Sequence, residues 1–255
     1  MLSQSKVNPT RKTSRISKFD REKLDTPITV RVVFQKTGNL QYFSHLDLQR
    51  TWQRVLVRAS IPMWYTQGFN PHPKIVFGVP LPVGSEGLEE MVDLRIDRQI
   101  TPAEIKAQLN AELTDEMQVS EVYIPTTAFS DIAWGTYQMT VKTPGDPAAN
   151  AAAINKIFAP DAEPIIMTKR SKSGDKEIDI IPMIRRIKVV HNADRAGEIR
   201  ISAILSAGNT EHLNPEMLIK AAKERLGILS GNPTEESYTI LRTHVYQKDG
   251  VTEFK

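Results

Sequence analysis

No cysteine occurs anywhere in the 255-residue sequence. Disulfides, thiolate zinc sites, a cysteine nucleophile and a cysteine-ligated iron–sulfur cluster are therefore excluded within this chain. Long apolar runs are missing too. No stretch approaches the roughly 20 residues of a membrane-spanning helix, and the N-terminus lacks the apolar segment of a signal peptide. The expectation is a cytoplasmic protein with no membrane association. Excess charge is equally scarce: the formal net charge is +3, and residues 1–26, with seven Lys or Arg against three acids, hold that surplus.

What is present is an ordinary globular composition, 40% apolar and 25% charged, enough for one large domain or two smaller ones. Residues 1–26 are rich in Ser, Lys and Arg and carry almost no apolar periodicity, so burial cannot offset their ordering entropy; they are expected to form a disordered basic arm. From ITVRVVFQ onward, Ile28, Val30, Val32 and Phe34 alternate as in a strand. SHLDLQRTWQRVLVRASI then repeats apolar residues at helical spacing, with Ser44 and Asp47 set as a capping box and Trp52 assigned to the core. KIVFGVPL and EMVDLRIDR read as a hairpin whose prolines place KIVFGVPL at a sheet edge. Thr101 and Pro102 open a second helix, and MQVSEVYIP is a strand.

This βαββαβ order predicts a ferredoxin-like unit over residues 27–130. Residues 131–255 repeat the plan, with TYQMTVKT, EPIIMTKR, GEIRISAIL and SYTILRTHVY as strands. PAANAAAINKIF and NPEMLIKAAKERL are the helices. SKSGDKEIDIIPMIRRIKVVHNADRA reads as inserted hairpin material. The expected class is α+β: two tandem ferredoxin-like units with antiparallel sheets, the second carrying an inserted hairpin region.

Within QGFNPHP, two prolines hold His72 on a stiff loop, since each fixes its own φ and restricts the residue before it. A bland reading makes this a shaped edge loop; a functional one presents His72 for phosphate contact or proton transfer. The expected ligand groove for RNA or phosphate collects Lys36, His45, Arg50 and Arg54 with Gly68, Phe69, Asn70, His72 and Lys74. Arg50 and Arg54 lie four apart on the first helix, and guanidinium and ammonium groups together suit phosphate. Trp64, Tyr65 and Phe69 offer faces on which bases stack. A secondary basic patch comprises Lys169, Arg170, Lys172, Arg185 and Arg186. The His45-x-Asp47 pair is too short a pattern to assign a metal site, and no cofactor is expected.

The stretches KTGNLQYFSHLDLQR, QGFNPHPKIVFGVPLPVG and KEIDIIPMI resemble the radical SAM-linked protein family, a domain of unknown function found beside, or fused behind, radical SAM proteins with a cobalamin-binding-like region. The resemblance spans residues 28 to about 245 and implies a radical SAM partner, without a catalytic residue set. Since this chain has no cysteine, any such cluster resides on another polypeptide. Tandem ferredoxin-like units are also the plan of CRISPR repeat-processing endoribonucleases, a fold analogy only. The leading expectation is thus an accessory RNA-binding module working with a radical SAM enzyme in RNA modification. The alternatives are an RNA enzyme using histidine acid–base groups and a protein-interaction subunit that touches no nucleic acid.

Overall fold

The computed structural model describes residues 20–169, 174–192, 195, 197–229 and 235–255. The first half runs β1 (Lys23–Lys36), α1 (His45–Arg58), β2 (Ile75–Phe77), β3 (Ser85–Arg98), α2 (Pro102–Asn110) and β4 (Val119–Tyr123). The second runs β5 (Trp134–Lys142), α3 (Pro147–Ile157), β6 (Ile166–Lys169), β7 (Lys176–Asp179), β8 (Ile184–His191), β9 (Glu198–Ser206), α4 (Glu216–Leu226) and β10 (Ser237–Tyr246). It is an α+β fold with four helices among the described residues and a mostly antiparallel sheet.

Local chemistry sets the helix starts. Ser44 and Asp47 exchange side-chain and backbone hydrogen bonds at α1, and Thr101 and Glu104 do the same at α2, where Pro102 occupies the first turn. Each satisfies donors that have no partner inside the helix. Asp146 accepts from the Ala148 amide ahead of α3. Apolar faces then bury against one side of the sheet. Trp52, Phe34 and Ile105 centre one cluster; Tyr137, Ile154 and Ile201 centre the other.

Three expectations are corrected. First, the halves do not form separate sheets: one eight-stranded sheet runs β4-β1-β3-β10-β5-β9-β8, with β2 paired to β3. The join is a short parallel ladder, Ser85–Gly87 against Ile240–Arg242. It covers two edges that would otherwise present unpaired backbone groups. Second, regular structure reaches into the expected arm. β1 begins at Lys23, and Arg21 donates to Glu104 and to the Gln99 carbonyl. Residues 1–19 lie outside the described residues.

Third, the insertion is differently bounded. EPIIMTKR supplies β6, which among the described residues pairs with β7 in a separate two-stranded sheet, whereas IRRIKVVH, read as insert, is β8 and the outer strand of the main sheet. A register shift between Ile184 and Arg186 breaks the period-two pattern that marks a strand, which is why β8 is obscure in the sequence. β2 does lie at an edge beside the proline-rich loop, paired among the described strands with β3 alone.

Candidate nucleic-acid interface

The groove expected around Lys36, His45 and His72 is not assembled. Lys36 is 2% exposed, and its Nζ donates to the carbonyls of Gln41 at 3.3 Å and Ser85 at 3.2 Å. Burial lowers its pKa, with the nearby Glu90 carboxylate opposing the shift. It ties the turn after β1 to the start of β3 and is out of a ligand's reach. His45 opens α1, exposed, with its ring edge-on to Phe77 at 5.3 Å. His72 lies five residues before Phe77, on the order of 15 Å away along extended chain. Arg50 and Arg54 are exposed on α1. The two imidazoles therefore do not share a site.

The structure does answer why QGFNPHP is stiff. The segment is the tip of a hairpin: Tyr65 pairs with Pro73, and the Thr66 amide donates to the His72 carbonyl at 3.0 Å. Gln67, Gly68, Phe69, Asn70, Pro71 and His72 are all exposed. The His72 Nδ1 sits 3.1 Å from the Thr66 hydroxyl and 3.3 Å from the Asn70 carbonyl. Both contacts are made inside the loop, so they hold the imidazole against its own turn. Beyond the tip, Lys74 leaves the loop on the helix-free side of the sheet, where it helps to line a cleft with Trp64, Arg95 and Phe129.

The secondary patch separates into residues with different work. Arg170 and Lys172 lie outside the described residues. Arg185 is structural: it stacks on Trp134 at 5.4 Å and donates to the Asp249 carbonyl at 2.6 Å. Lys169 donates to the His212 carbonyl at 3.1 Å. His212 itself is mostly buried; burial first, then the Arg242 and Lys169 charges, push its pKa from 6.5 to about 4.

That shift has a consequence for folding. Native His212 stays neutral while an unfolded histidine protonates below about pH 6.5, so stability is full above pH 6.5 and falls as pH drops toward 4. With residual solvent contact the loss is about 2 kcal/mol. Urea titrations at pH 7 and pH 4.5 check it: His212→Gln should shrink the difference, and an unchanged difference would remove His212 as its source.

Among the described residues Arg186 is the patch residue left for a ligand, and β8 gives it neighbours that its place in the sequence does not suggest. Ile187 and Val189 point into the helix-side core. Arg186, Lys188 and Val190 therefore project from the opposite face. Opposite them stand Ile204, Ser202 and Arg200 of β9, and next to these Thr136, Gln138 and Thr140 of β5. Among the described residues no helix covers this face, and Arg186, Lys188, Arg200, Ser202 and Gln138 are exposed. The Arg186 and Lys188 side chains make no hydrogen bond or ion pair among the described residues. Arg200 sits 3.7 Å from Glu198, a carboxylate already bonded by Asn192. The result is a flat polar platform, cationic along its β8–β9 side.

Among the described residues no group of three His, Asp or Glu is placed to hold a metal ion, and no helix is long and apolar enough to cross a membrane. Residues 29–215 match the model of a family described as an uncharacterized protein conserved in bacteria, DUF2344. No curated protein matches the chain. Similar solved structures include a crystal structure of a Cbf5–Nop10–Gar1 complex, 13% identical with a TM-score of 0.46, covering 86% of this chain and 50% of that one. Another is an unknown protein from Galdieria sulphuraria, 9% identical with a TM-score of 0.24, covering 85% of this chain and 98% of that one. The chain thus spans about half the length of the first, and neither likeness carries an argument about function.

Proposed function

The chain belongs to this family conserved in bacteria, and from that premise we propose that it is an accessory RNA-binding module. The observation that carries the reading is the helix-free sheet face of the second half, where Arg186 and Lys188 stand unpaired beside Arg200 and the polar Ser202 and Gln138. An open sheet presenting cations and neutral hydrogen-bonding groups suits single-stranded RNA, whose phosphates need cationic contacts and whose bases are free to lie on a platform.

Each half is, in this reading, a ferredoxin-like unit. The strand orders β4-β1-β3-β2 and β10-β5-β9-β8 support it, since both set the first and third strands of a half at its centre. The partner in this reading is a radical SAM enzyme, on the strength of the family resemblance. That enzyme supplies the cluster that a cysteine-free chain does not hold.

Fluorescence anisotropy with labelled oligouridine and oligoadenosine, over a range of salt concentrations, tests RNA binding. The variant Arg186→Ala/Lys188→Ala is expected to bind roughly tenfold more weakly. Its log–log salt slope should be shallower by about 0.7 for each phosphate that is no longer neutralised. Both side chains are exposed, so its stability should stay within about 0.5 kcal/mol of wild type. Wild-type binding that ignores salt, or a variant that binds like wild type, would overturn the assignment.

A further inference from the structure

On the helix-free side of the first half lies a cleft of about 570 Å³, separate from the β8–β9 platform. Trp64, Lys74 and Arg95 come to it from three extended segments, and their backbones close a ring of hydrogen bonds. The Lys74 amide donates to the Trp64 carbonyl at 3.1 Å, the Trp64 amide to the Arg95 carbonyl at 2.7 Å, and the Arg95 amide to the Lys74 carbonyl at 3.1 Å. All three residues line the cleft. The ring holds them in place before any ligand arrives, which lowers the ordering cost of binding.

Charge in the cleft is unbalanced once its internal bonds are assigned. The acid in the wall, Asp93, gives both carboxylate oxygens to Arg31, at 2.7 and 2.9 Å. Thr127 is occupied by Arg31 and by the Lys255 carbonyl. Arg95 uses Nη1 on the Thr29 hydroxyl at 3.1 Å, leaving Nε and Nη2 for a ligand, and Lys74 has no side-chain partner among the described residues. Two cations therefore face the cleft without an available counter-charge. Phe129, held at 4.2 Å under the Arg31 guanidinium, and Trp64 add flat apolar wall.

We propose that this cleft binds a single nucleotide, its base against the Trp64 and Phe129 walls and its phosphate at Lys74 and Arg95. Planar aromatic surface and paired cations are the two features such a ligand requires. The cleft volume lies within the ordinary range of small-molecule sites. The nucleotide has two sources, a free mononucleotide or the phosphorylated end of an RNA. Only the second rests on the RNA-binding reading above. The stiffness of QGFNPHP then has a use: the loop fixes the spacing of the Trp64 and Lys74 segments on either side of it.

Tryptophan fluorescence quenching by AMP, GMP, CMP and UMP tests the site, with inorganic phosphate as competitor. Wild type is expected to show saturable quenching by at least one nucleotide. Lys74→Gln, an exposed change, should weaken it about tenfold or more, and Trp64→Phe should remove most of the signal while calorimetry still detects binding. Arg186→Ala/Lys188→Ala should leave nucleotide binding unchanged, which separates this site from the platform. An RNA with a 5′-monophosphate that displaces the nucleotide, where its 5′-hydroxyl counterpart does not, assigns the site to an RNA end; nucleotide binding without such displacement assigns it to a free nucleotide. The absence of saturable binding by all four nucleotides, or undiminished binding by Lys74→Gln, would overturn the proposal whatever the outcome of the platform experiment.

Discussion

Glu90→Ala is expected to destabilise the protein by about 3–5 kcal/mol, the cost of leaving an uncompensated charge in the interior. Glu90 and Arg242 are 5% and 3% exposed and meet across the join of the two halves, with Oε2 2.7 Å and Oε1 2.8 Å from the guanidinium. Without the carboxylate, Arg242 remains buried close to a second cation, Lys36. Space is equally constrained. A Cβ on Gly87, the Arg242 partner in the parallel ladder, would overlap Glu90 Oε1.

Burial alone does not make the pair a source of net stability, because two desolvated ions repay their loss of water only in part. Glu90→Met/Arg242→Met should therefore be more stable than either single alanine variant, even though it deletes both charges. Equilibrium urea unfolding of the alanine variants, of Glu90→Met and Arg242→Met singly, and of the methionine double variant measures this. A loss below about 1 kcal/mol for Glu90→Ala, or strictly additive effects in the double variant, would mean that the pair is not coupled as its geometry requires.

Trp52→Ala should cost a comparable 3–5 kcal/mol, by a different physical route. The indole is fully buried at the centre of the first-half core and packs edge-on to Phe34 at 4.9 Å. Its removal forfeits apolar burial and leaves a cavity that α1 and β1, both held by many neighbours, cannot close. Trp52→Phe is expected to be much milder, under about 2 kcal/mol. The Trp52 Nε1 is buried without a hydrogen-bond partner, and phenylalanine removes that unpaired donor while retaining most of the ring. Thermal and urea melts of the two variants check the order. If phenylalanine costs as much as alanine, shape complementarity and not the unpaired N–H governs the site.

The two candidate surfaces call for different kinds of chemistry. The platform offers exposed cations to a polyanion, so its contribution depends strongly on salt. The cleft offers pre-positioned groups to one residue-sized ligand, where the Lys74 and Arg95 charges are joined by aromatic contact. A single RNA reaching both would be held along its chain by one and at its end by the other. Salt-dependent anisotropy reads the first contribution and tryptophan quenching the second.

Features resting on residues close in the chain were legible from the sequence. The Ser44–Asp47 capping box, the Thr101–Pro102 helix start, the buried Trp52 and the edge position of β2 all follow from local donors, side-chain periodicity and proline's missing N–H. So did the absence of thiol chemistry. What depended on distant partners was not legible. Lys36 reads as a surface cation until the start of β3 encloses it and supplies its carbonyl acceptor. Arg186 and Lys188 read as part of an insert until β8 docks on β9 across an irregular register. The single sheet exists because Ser85–Gly87 meets Ile240–Arg242, a pairing of segments more than 150 residues apart that no local pattern encodes. Side-chain alternation determines which residues share a face of a strand, but only the docking of other elements decides whether that face becomes core, a seam between halves or an open surface for a ligand.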